Sequence, residues 1–317
     1  MRYRNLGKSG LKVSEVALGS WLTYGGTVAE ESAIACVRRA FEMGVNYFDT
    51  ADAYARGEAE KVLRKALEPF PRQHLVIATK AFWPQSDDPN DRGLSRKHIM
   101  ESVERSLGRL GTDYVDIFYC HRADPETPLD ETLRAIDDLV AQGKVLYGAI
   151  SEWPAEEVSR AGKEATRLGL RRMIADQVQY NLLDPKIELD VLPRAKAAGM
   201  GIVAFSPLAQ GVLTGKYLDG KAPEGSRGAD PRTAPMVQRY LEGSEGKVEW
   251  LLGAARQAGV SLAQLAIRWV LRLPEVSSAL IGASSLEQLE ENLAAADGDL
   301  PMDLRKKIQA QFGLPVA

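Results

Sequence analysis

The chain has 317 residues, with 40 lysines and arginines against 43 aspartates and glutamates, which gives a net charge of -3 at pH 7. These charges are spread along the whole chain rather than gathered into a basic face, so we exclude nucleic acid as a partner. No apolar run approaches the roughly 20 residues needed to cross a bilayer, and the first residues lead into polar sequence rather than a signal peptide. We therefore expect a cytoplasmic protein with no membrane insertion.

The cysteines and histidines give no metal-binding pattern. Cys36 and Cys120 fall in a helix-like and a strand-like segment far apart in the sequence, and in a reducing compartment both are expected to be buried thiols. His74, His98 and His121 show no ligand spacing with each other or with the cysteines. We expect no metal.

The first predicted element is a β-hairpin. Residues 1–14 alternate polar and apolar side chains around Gly7-Lys8-Ser9-Gly10, a typical turn sequence. The chain then repeats one unit, in which a short apolar strand leads through a loop to an amphipathic helix, so we expect the hairpin to plug one end of a barrel. The strands of eight such units are predicted at residues 16–19, 45–48, 76–79, 115–120, 145–150, 173–178, 201–205 and 278–281.

The predicted helices carry apolar residues at three- or four-residue spacing. Ser95 is predicted to cap the third helix, and Thr127 to cap the fourth with Pro128 at its first position. A stretch rich in glycine, proline and charge at about residues 208–243 is too long for an ordinary connection and predicts a functional loop. The helices are predicted at residues 30–43, 58–67, from 95, from 127, after 154, 186–198, 261–273 and from 285.

Eight alternating strand and helix units predict the α/β class, as a closed parallel (β/α)8 TIM barrel with an N-terminal hairpin and a long loop after the seventh strand. Barrels of this length fold as one unit, so we expect a single domain over residues 1–317. Such barrels carry their chemistry on the loops at the C-terminal ends of the strands.

Four titratable side chains stand at such strand ends. Asp49 and Tyr54 follow the second strand, Lys80 follows the third and His121 follows the fourth. Each alone is more typical of a rim residue or a salt bridge than of a catalyst. Their joint occurrence predicts acid-base chemistry.

The pattern Asn46-x-Phe48-Asp49-Thr50-Ala51 with Tyr54, followed by Thr79-Lys80 and then His121, resembles the aldo-keto reductases. Within that family it resembles the branch that includes the β-subunits of voltage-gated potassium channels and their bacterial relatives. The likeness runs from Tyr3 to Asn292 and so covers nearly the whole chain.

The resemblance implies NADPH-dependent reduction of aldehydes and ketones to alcohols. Tyr54 would be the general acid, and Lys80 would lower its pKa. Asp49 would keep Lys80 protonated, and His121 would donate a hydrogen bond to the substrate carbonyl. The family's fold and these four residues therefore predict a carbonyl reductase.

The chain has no G-x-G-x-x-G after a strand, so a Rossmann site is not predicted. The resemblance instead implies that NADPH or NADP+, with NADH possible, binds at the rim of the barrel. Ser285 and Gln288 open a helix that could hold a phosphate, although they also fit an S-x-x-Q capping box. The implied cofactor contacts are Trp21, Asp49, Ser151, Gln177, Phe205, Ser206, Pro207, Leu208, Gly211, Lys216, Arg227, Gly282, Ser284, Gln288, Glu291 and Asn292.

Two positions depart from the family's pattern. Glu152 stands where asparagine often follows the serine of the fifth strand, and Gln288 stands where many members place an arginine for the 2′-phosphate. The channel-subunit branch also carries glutamine at the second position. NADPH therefore stays the expected cofactor.

Aromatic side chains on the loops predict a pocket for a small aldehyde or ketone, with Trp21, Tyr24 and Trp83 as its lining and Phe82 and Trp153 as further candidates. The sequence does not identify the substrate. Relatives in this branch assemble through the sides of the barrel, so a homo-oligomer is a further expectation.

Two alternatives remain open. One is a nicotinamide-binding, redox-sensing channel β-subunit-like protein with little turnover, although the animal members carry asparagine at the position of His121 and a docking extension that we do not expect before Met1. The other is a Schiff-base lyase with Lys80 as the nucleophile.

Overall fold

Eight parallel strands close into a barrel in the computed structural model, which describes residues 1–313, with the side chains of Thr23 and Thr27 excepted. Around the barrel each strand neighbours the next in the chain, and the last pairs with the first, which is the order of a (β/α)8 barrel. The predicted fold is confirmed. The barrel strands are β3 (Val16–Gly19), β4 (Tyr47–Asp49), β5 (Val76–Ala81), β6 (Val115–Cys120), β7 (Val145–Ser151), β8 (Ala175–Gln179), β9 (Gly201–Phe205) and β10 (Val276–Ile281).

Helices surround the barrel because each strand also buries its outward side chains. In α4, for example, Leu129, Leu133 and Ile136 lie in the main hydrophobic core at the predicted spacing. The helices are α1 (Glu30–Glu42), α2 (Glu58–Leu67), α3 (Arg96–Leu110), α4 (Leu129–Ala141), α5 (Ala155–Leu168), α6 (Val191–Ala197), α7 (Ala234–Leu241), α8 (Glu245–Gln257), α9 (Leu262–Leu271), α10 (Leu286–Leu293) and α11 (Met302–Phe312).

The hairpin of β1 (Tyr3–Asn5) and β2 (Lys12–Ser14) closes the N-terminal end of the barrel. Leu6 and Val13 are fully buried among the side chains that fill the barrel interior. Gly7 has a φ of +57°, and a Cβ there would lie 2.4 Å from the backbone nitrogen of Gly201, where β9 begins. Only glycine fits so close an approach, so the predicted plug is confirmed.

Several predicted boundaries differ from the structure. The second strand begins at Tyr47 rather than Val45, because the Val45 amide instead donates to Ala40 at the end of α1. Pro128 occupies the cap position of α4, since the Thr127 hydroxyl donates to Asp124. The helix predicted over residues 186–198 is divided into a 3-10 turn, Lys186–Glu188, and α6, because the Asp190 side chain starts a new helix at Val191.

The loop predicted over residues 208–243 contains a 3-10 segment, Ala209–Thr214, and α7. Two helices, α8 and α11, were not predicted from the sequence. In residues 1–313 no helix is both long and apolar enough to cross a membrane, and no group of three or more His, Cys, Asp or Glu side chains could hold a metal.

Candidate active site

A cavity of about 1650 Å³ opens at the C-terminal ends of the strands. The hydrogen bonding between neighbouring strands continues past the strand ends and holds the loops in place. The Asp52 amide donates to the backbone carbonyl oxygen of Lys80, and the His121 amide donates to that of Ala81. The predicted residues that line the cavity are Trp21, Asp49, Tyr54, Trp83, His121, Ser151, Gln177, Phe205, Ser206, Pro207, Leu208, Gly211, Lys216, Arg227, Gly282, Ser284, Gln288, Glu291 and Asn292.

A buried ion pair lies at the inner end of the cavity. Lys80 Nζ donates to the Asp49 carboxylate and, at 2.8 Å, to the carbonyl oxygen of Thr50. Gln177 Nε2 donates to the other Asp49 oxygen at 2.8 Å. Burial raises the pKa of Asp49 and lowers that of Lys80, and the attraction between the two charges opposes both shifts. Three side chains from three strands therefore fix one another.

Tyr54 is half-buried and begins a tight turn, Tyr54–Gly57, in which Ala55 and Arg56 have positive φ. Lys80 Nζ lies 5.0 Å from the centre of its ring. Burial raises the pKa of the Tyr54 phenol well above its usual value, and the charge of Asp49 raises it further while Arg122 opposes the shift. The sequence-based expectation that Lys80 gives Tyr54 a lowered pKa is therefore wrong for this state, because desolvation is the larger effect.

His121 is 6% exposed, and its ring centre lies 5.7 Å from that of Tyr54 at an angle of 74°. Burial, with the positive charges of Lys80 and Arg122, lowers the pKa of the imidazole well below its usual value, so the ring is neutral at pH 7. Its Nδ1 has no hydrogen-bond partner within residues 1–313. A neutral imidazole carries one N–H donor and one acceptor nitrogen, so the ring can donate a hydrogen bond to a carbonyl oxygen. We call Asp49, Tyr54, Lys80 and His121 the strand-end site.

The outer part of the cavity is built by residues 206–227, which we call the belt. Ser206, Gln210 and Gly211 all have positive φ, so the backbone here is a series of sharp turns. The guanidinium of Arg227 donates to the side chain of Gln210 and lies 5.7 Å from the Trp21 ring centre. Burial lowers the pKa of Arg227.

The N-terminus of α10 forms the other wall of the outer cavity. The Ser285 hydroxyl accepts from the Gln288 amide at 3.3 Å, as in the predicted capping box. The Gln288 side chain, however, accepts from the Ser284 hydroxyl at 2.9 Å rather than from the Ser285 amide. The box is therefore half-formed, and the Ser284 and Gln288 side chains meet at the cavity surface.

Comparison with known proteins connects this geometry to a family. The family model described as Aldo/keto reductase family matches residues 15–310. The chain belongs to the aldo/keto reductase family. The resemblance seen in the sequence is confirmed.

Relatives of this aldo/keto reductase carry channel names. It is 43% identical over 301 residues to a probable voltage-gated potassium channel subunit beta of Oryza sativa subsp. japonica, covering 94% of this chain and 92% of the relative. The same figures hold for the protein with that name from Arabidopsis thaliana. A putative voltage-gated potassium channel subunit beta of Schizosaccharomyces pombe is 42% identical over 318 residues, with 96% and 92% covered.

Four predicted site residues of this aldo/keto reductase lie away from the cavity surface. Lys80 is fully buried behind Asp49. Tyr24 is 2% exposed and packs in the hydrophobic core rather than lining the cavity, because Leu22 has a φ of +63° and the Tyr24 amide turns back to Ser20. Phe82 and Trp153 likewise pack with the core. Of the aromatic residues predicted for the pocket, Trp21 and Trp83 line the cavity.

Sequence reasoning missed Arg122, which lines the cavity of this aldo/keto reductase directly after His121. Its position at the end of β6 was the available signal, since every residue following a barrel strand is near the active face. Glu152, noted only as a departure from the family's pattern, also lines the cavity, and its carboxylate accepts from the Gln179 amide at 2.6 Å.

Proposed function

We propose that the protein reduces small aldehydes and ketones to alcohols with NADPH, and that Tyr54 supplies the proton. The observation that carries the proposal is the convergence of Tyr54, His121 and the Lys80–Asp49 pair at the inner end of one cavity, whose outer part brings together the predicted cofactor contacts.

The residues of the outer cavity fit a nicotinamide nucleotide. Lys216 and Arg227 line it, and neither takes part in an ion pair with another of residues 1–313, so both charges are available to phosphates. The start of α10 adds the hydroxyl of Ser284 at a helix N-terminus, where anions bind well. Gln288 at this wall leaves NADH as a possible second cofactor.

Each side chain of the strand-end site has a distinct role in this proposal. A bound reduced nicotinamide would supply the hydride. Tyr54 donates its proton to the carbonyl oxygen, and its raised pKa ensures that the proton is present at pH 7. Neutral His121 orients the carbonyl through a hydrogen bond. Lys80, held by Asp49, places a positive charge near the phenolate that Tyr54 becomes when it has given up its proton.

The test is oxidation of NADPH with an activated aromatic aldehyde such as 4-nitrobenzaldehyde, followed by the loss of reduced-nicotinamide absorbance. Tyr54→Phe removes only the acidic hydroxyl and is expected to lower kcat by about 100- to 10,000-fold. Tyr114→Phe is the matched control, because Tyr114 precedes β6 at the closed end of the barrel. Equal turnover by wild type and Tyr54→Phe would overturn the assignment of the acid.

The names of the relatives favour a second candidate, a channel β-subunit-like protein that binds nicotinamide and turns over slowly. Fluorescence titration with NADPH separates the two candidates. Tight NADPH binding without turnover of any aldehyde in the panel would support the second candidate. Binding with rapid, Tyr54-dependent turnover supports the reductase.

Lys80 is a poor candidate for the nucleophile of a Schiff-base lyase. Its amine is fully buried and is held by Asp49 and the carbonyl oxygen of Thr50, so an incoming carbonyl would have to displace a buried ion pair. Borohydride treatment with substrate is expected to leave the protein mass unchanged.

The proposed reductase function also implies a substrate and an assembly. A small aldehyde or ketone is the proposed substrate, and a homo-oligomer formed through the barrel sides is the proposed assembly. Light scattering of the purified protein measures the mass directly, and a value near that of one chain would exclude the oligomer.

A further inference from the structure

Arg122 lies beside the proposed reacting groups. Its positive charge is not neutralised by an ion pair within residues 1–313. It lines the cavity next to His121, and its guanidinium carbon lies 5.5 Å from the ring centre of Trp83. One guanidinium nitrogen donates to the backbone carbonyl of His121 at 2.5 Å. This bond holds one guanidinium nitrogen. Because a guanidinium has five N–H donors, others remain for another group.

The acid nearest to Arg122 in the sequence is bound elsewhere. Asp124 is two residues away, but its carboxylate accepts from the Leu94 amide and the Thr127 hydroxyl, both at 2.7 Å. None of the ion pairs formed within residues 1–313 includes Arg122. By contrast Arg232, which also lines the cavity, is paired with Asp230 at 2.7 Å.

The position of Arg122 relates it to the substrate rather than to the cofactor. It sits at the end of the cavity with Tyr54, His121 and Trp83, whereas Lys216 and Arg227 lie in the belt. Its charge is close enough to influence the titration of both Tyr54 and His121. A half-buried guanidinium next to an aromatic wall is a good receptor for a planar anion, which it can hold by two parallel hydrogen bonds.

We propose that Arg122 binds an anionic group of the carbonyl substrate, so that the physiological substrate is a short aldehyde or ketone that carries a carboxylate or phosphate. This inference rests on the proposed reductase function and names its substrate class. The Trp83 ring lies 5.5 Å from the Arg122 guanidinium carbon and 6.1 Å from the His121 ring centre, so an anion on Arg122 and a carbonyl at His121 can belong to one short molecule. Trp83 packs against the chain between them.

The experiment compares two aldehydes of similar shape, 4-formylbenzoate and methyl 4-formylbenzoate, which differ in charge. The measured quantity is the ratio of kcat/KM for the acid to kcat/KM for the ester. Arg122→Met is expected to lower this ratio by about 10- to 100-fold, because it removes a charge-assisted hydrogen-bonding partner of the acid alone. Arg122→Lys keeps the charge without the fork and is expected to give an intermediate ratio.

Arg239→Met is the matched control. Arg239 lines the same cavity from α7, so its replacement tests whether any cationic neighbour has the effect. Its ratio is expected to equal that of wild type. A purely structural role of Arg122 would lower the activity on acid and ester together and leave the ratio unchanged, and that result would overturn the inference.

A binding measurement keeps the two proposals separable. Calorimetric titration of the NADPH-loaded protein with 4-carboxybenzyl alcohol requires no turnover. A Kd that is about tenfold weaker in Arg122→Met supports the anion site even if no aldehyde is reduced, whereas equal Kd values overturn it. Ester reduction that depends on Tyr54, with no effect of Arg122 on either readout, would retain the reductase and remove the anion site.

Discussion

The strand-end site and the belt share one cavity but are held in place by different kinds of interaction. Asp49 and Lys80 come directly from neighbouring strands, and their side chains form a buried ion pair within the barrel register. In the belt, Gln210 and Gly211 owe their positions to left-handed backbone turns, and Arg227 is held by a single neutral side chain. The inner end is therefore held by a buried ion pair between barrel strands, and the outer end by turns whose apolar residues, Val212, Leu213 and Tyr217, pack in a second hydrophobic cluster.

This contrast predicts where the effects of mutation should appear. Changes in the strand-end site should reduce stability and chemistry together, because the same contacts serve both. Replacing the polar belt side chains that line the cavity should weaken cofactor binding and change the free energy of unfolding much less, since no buried ion pair is broken.

The strongest test of the contrast is Lys80→Met. It leaves the Asp49 carboxylate buried without its cation, so we expect a loss of about 3 to 5 kcal/mol in the free energy of unfolding. We also expect kcat to fall by at least about 100-fold. Urea unfolding and NADPH oxidation measure the two effects.

The control for Lys80→Met is the double variant Asp49→Asn/Lys80→Met, which removes both charges. It should recover much of the lost stability without recovering activity, because the amide needs no counterion. A single variant as stable as wild type would show that the ion pair does not hold the inner end together.

Asp52→Asn tests the cost of another carboxyl group near the strand ends. Asp52 is 1% exposed, and burial, followed by the charge of Glu60, raises its pKa from 3.8 to about 7. The native state therefore binds this proton more tightly than the unfolded chain, so stability falls as pH rises from about 4 to about 7. The amide does not titrate, and the variant should gain on wild type by on the order of 3 kcal/mol between pH 5 and pH 8.5.

Urea unfolding of both proteins at the two pH values measures that gain. Asp87→Asn, at an exposed site, is the control and should follow wild type at both. If the difference between Asp52→Asn and wild type does not change with pH, the raised pKa of Asp52 is contradicted.

Arg227→Met probes the belt. We expect the Kd for NADPH to rise by about 10- to 100-fold, since a charged donor to phosphate is lost, and the free energy of unfolding to change by less than about 0.5 kcal/mol. Arg232→Met is the comparison, because Arg232 is already paired with Asp230. A loss of stability as large as that of Lys80→Met would remove the distinction between the two regions.

Gly211→Ala should give the smallest effect on NADPH affinity. Gly211 has a φ of +95°, and a Cβ there would lie 3.0 Å from Lys216 Cε. We expect a cost of about 1 kcal/mol in stability and a several-fold weaker affinity for NADPH. Gly220→Ala carries a similar backbone strain at +76° with no atom within 4 Å, so the difference between the two variants measures the contact with Lys216. Equal affinities in both would show that the contact does not matter.

The parts of the fold that were predicted correctly have strong local signals. Strands such as β5 and β6 are short, fully buried and mostly apolar runs, and Ser95 caps α3 by accepting from the His98 amide as expected. Of the helices that were missed, α11 has only a narrow apolar stripe, Leu304, Ile308 and Phe312, of which Ile308 alone is fully buried. The helix α8 has a stripe, but Gly246 and Gly253 interrupt its helix-forming sequence.

The candidate site was predictable where the family's motif includes a residue. It was less predictable where neighbours in the fold determine the position or pKa of a side chain. The inward turn of Tyr24 depends on a left-handed residue at Leu22, which no sequence pattern demands. Arg122 looks like any solvated charge until the partners of Asp124 are known. The raised pKa of Tyr54 depends on desolvation against nearby charges, a balance that spacing in a sequence does not contain.

The hairpin that fills the base of the barrel has a kinetic consequence. With Leu6 and Val13 packed into that end, the cavity is a dead-end chamber, and everything that enters must leave by the same mouth. When two molecules are bound in such a cavity, the one nearer the opening must leave before the one behind it. For the proposed reductase, this geometry predicts that product release limits turnover and that excess substrate inhibits it by blocking the cavity opening.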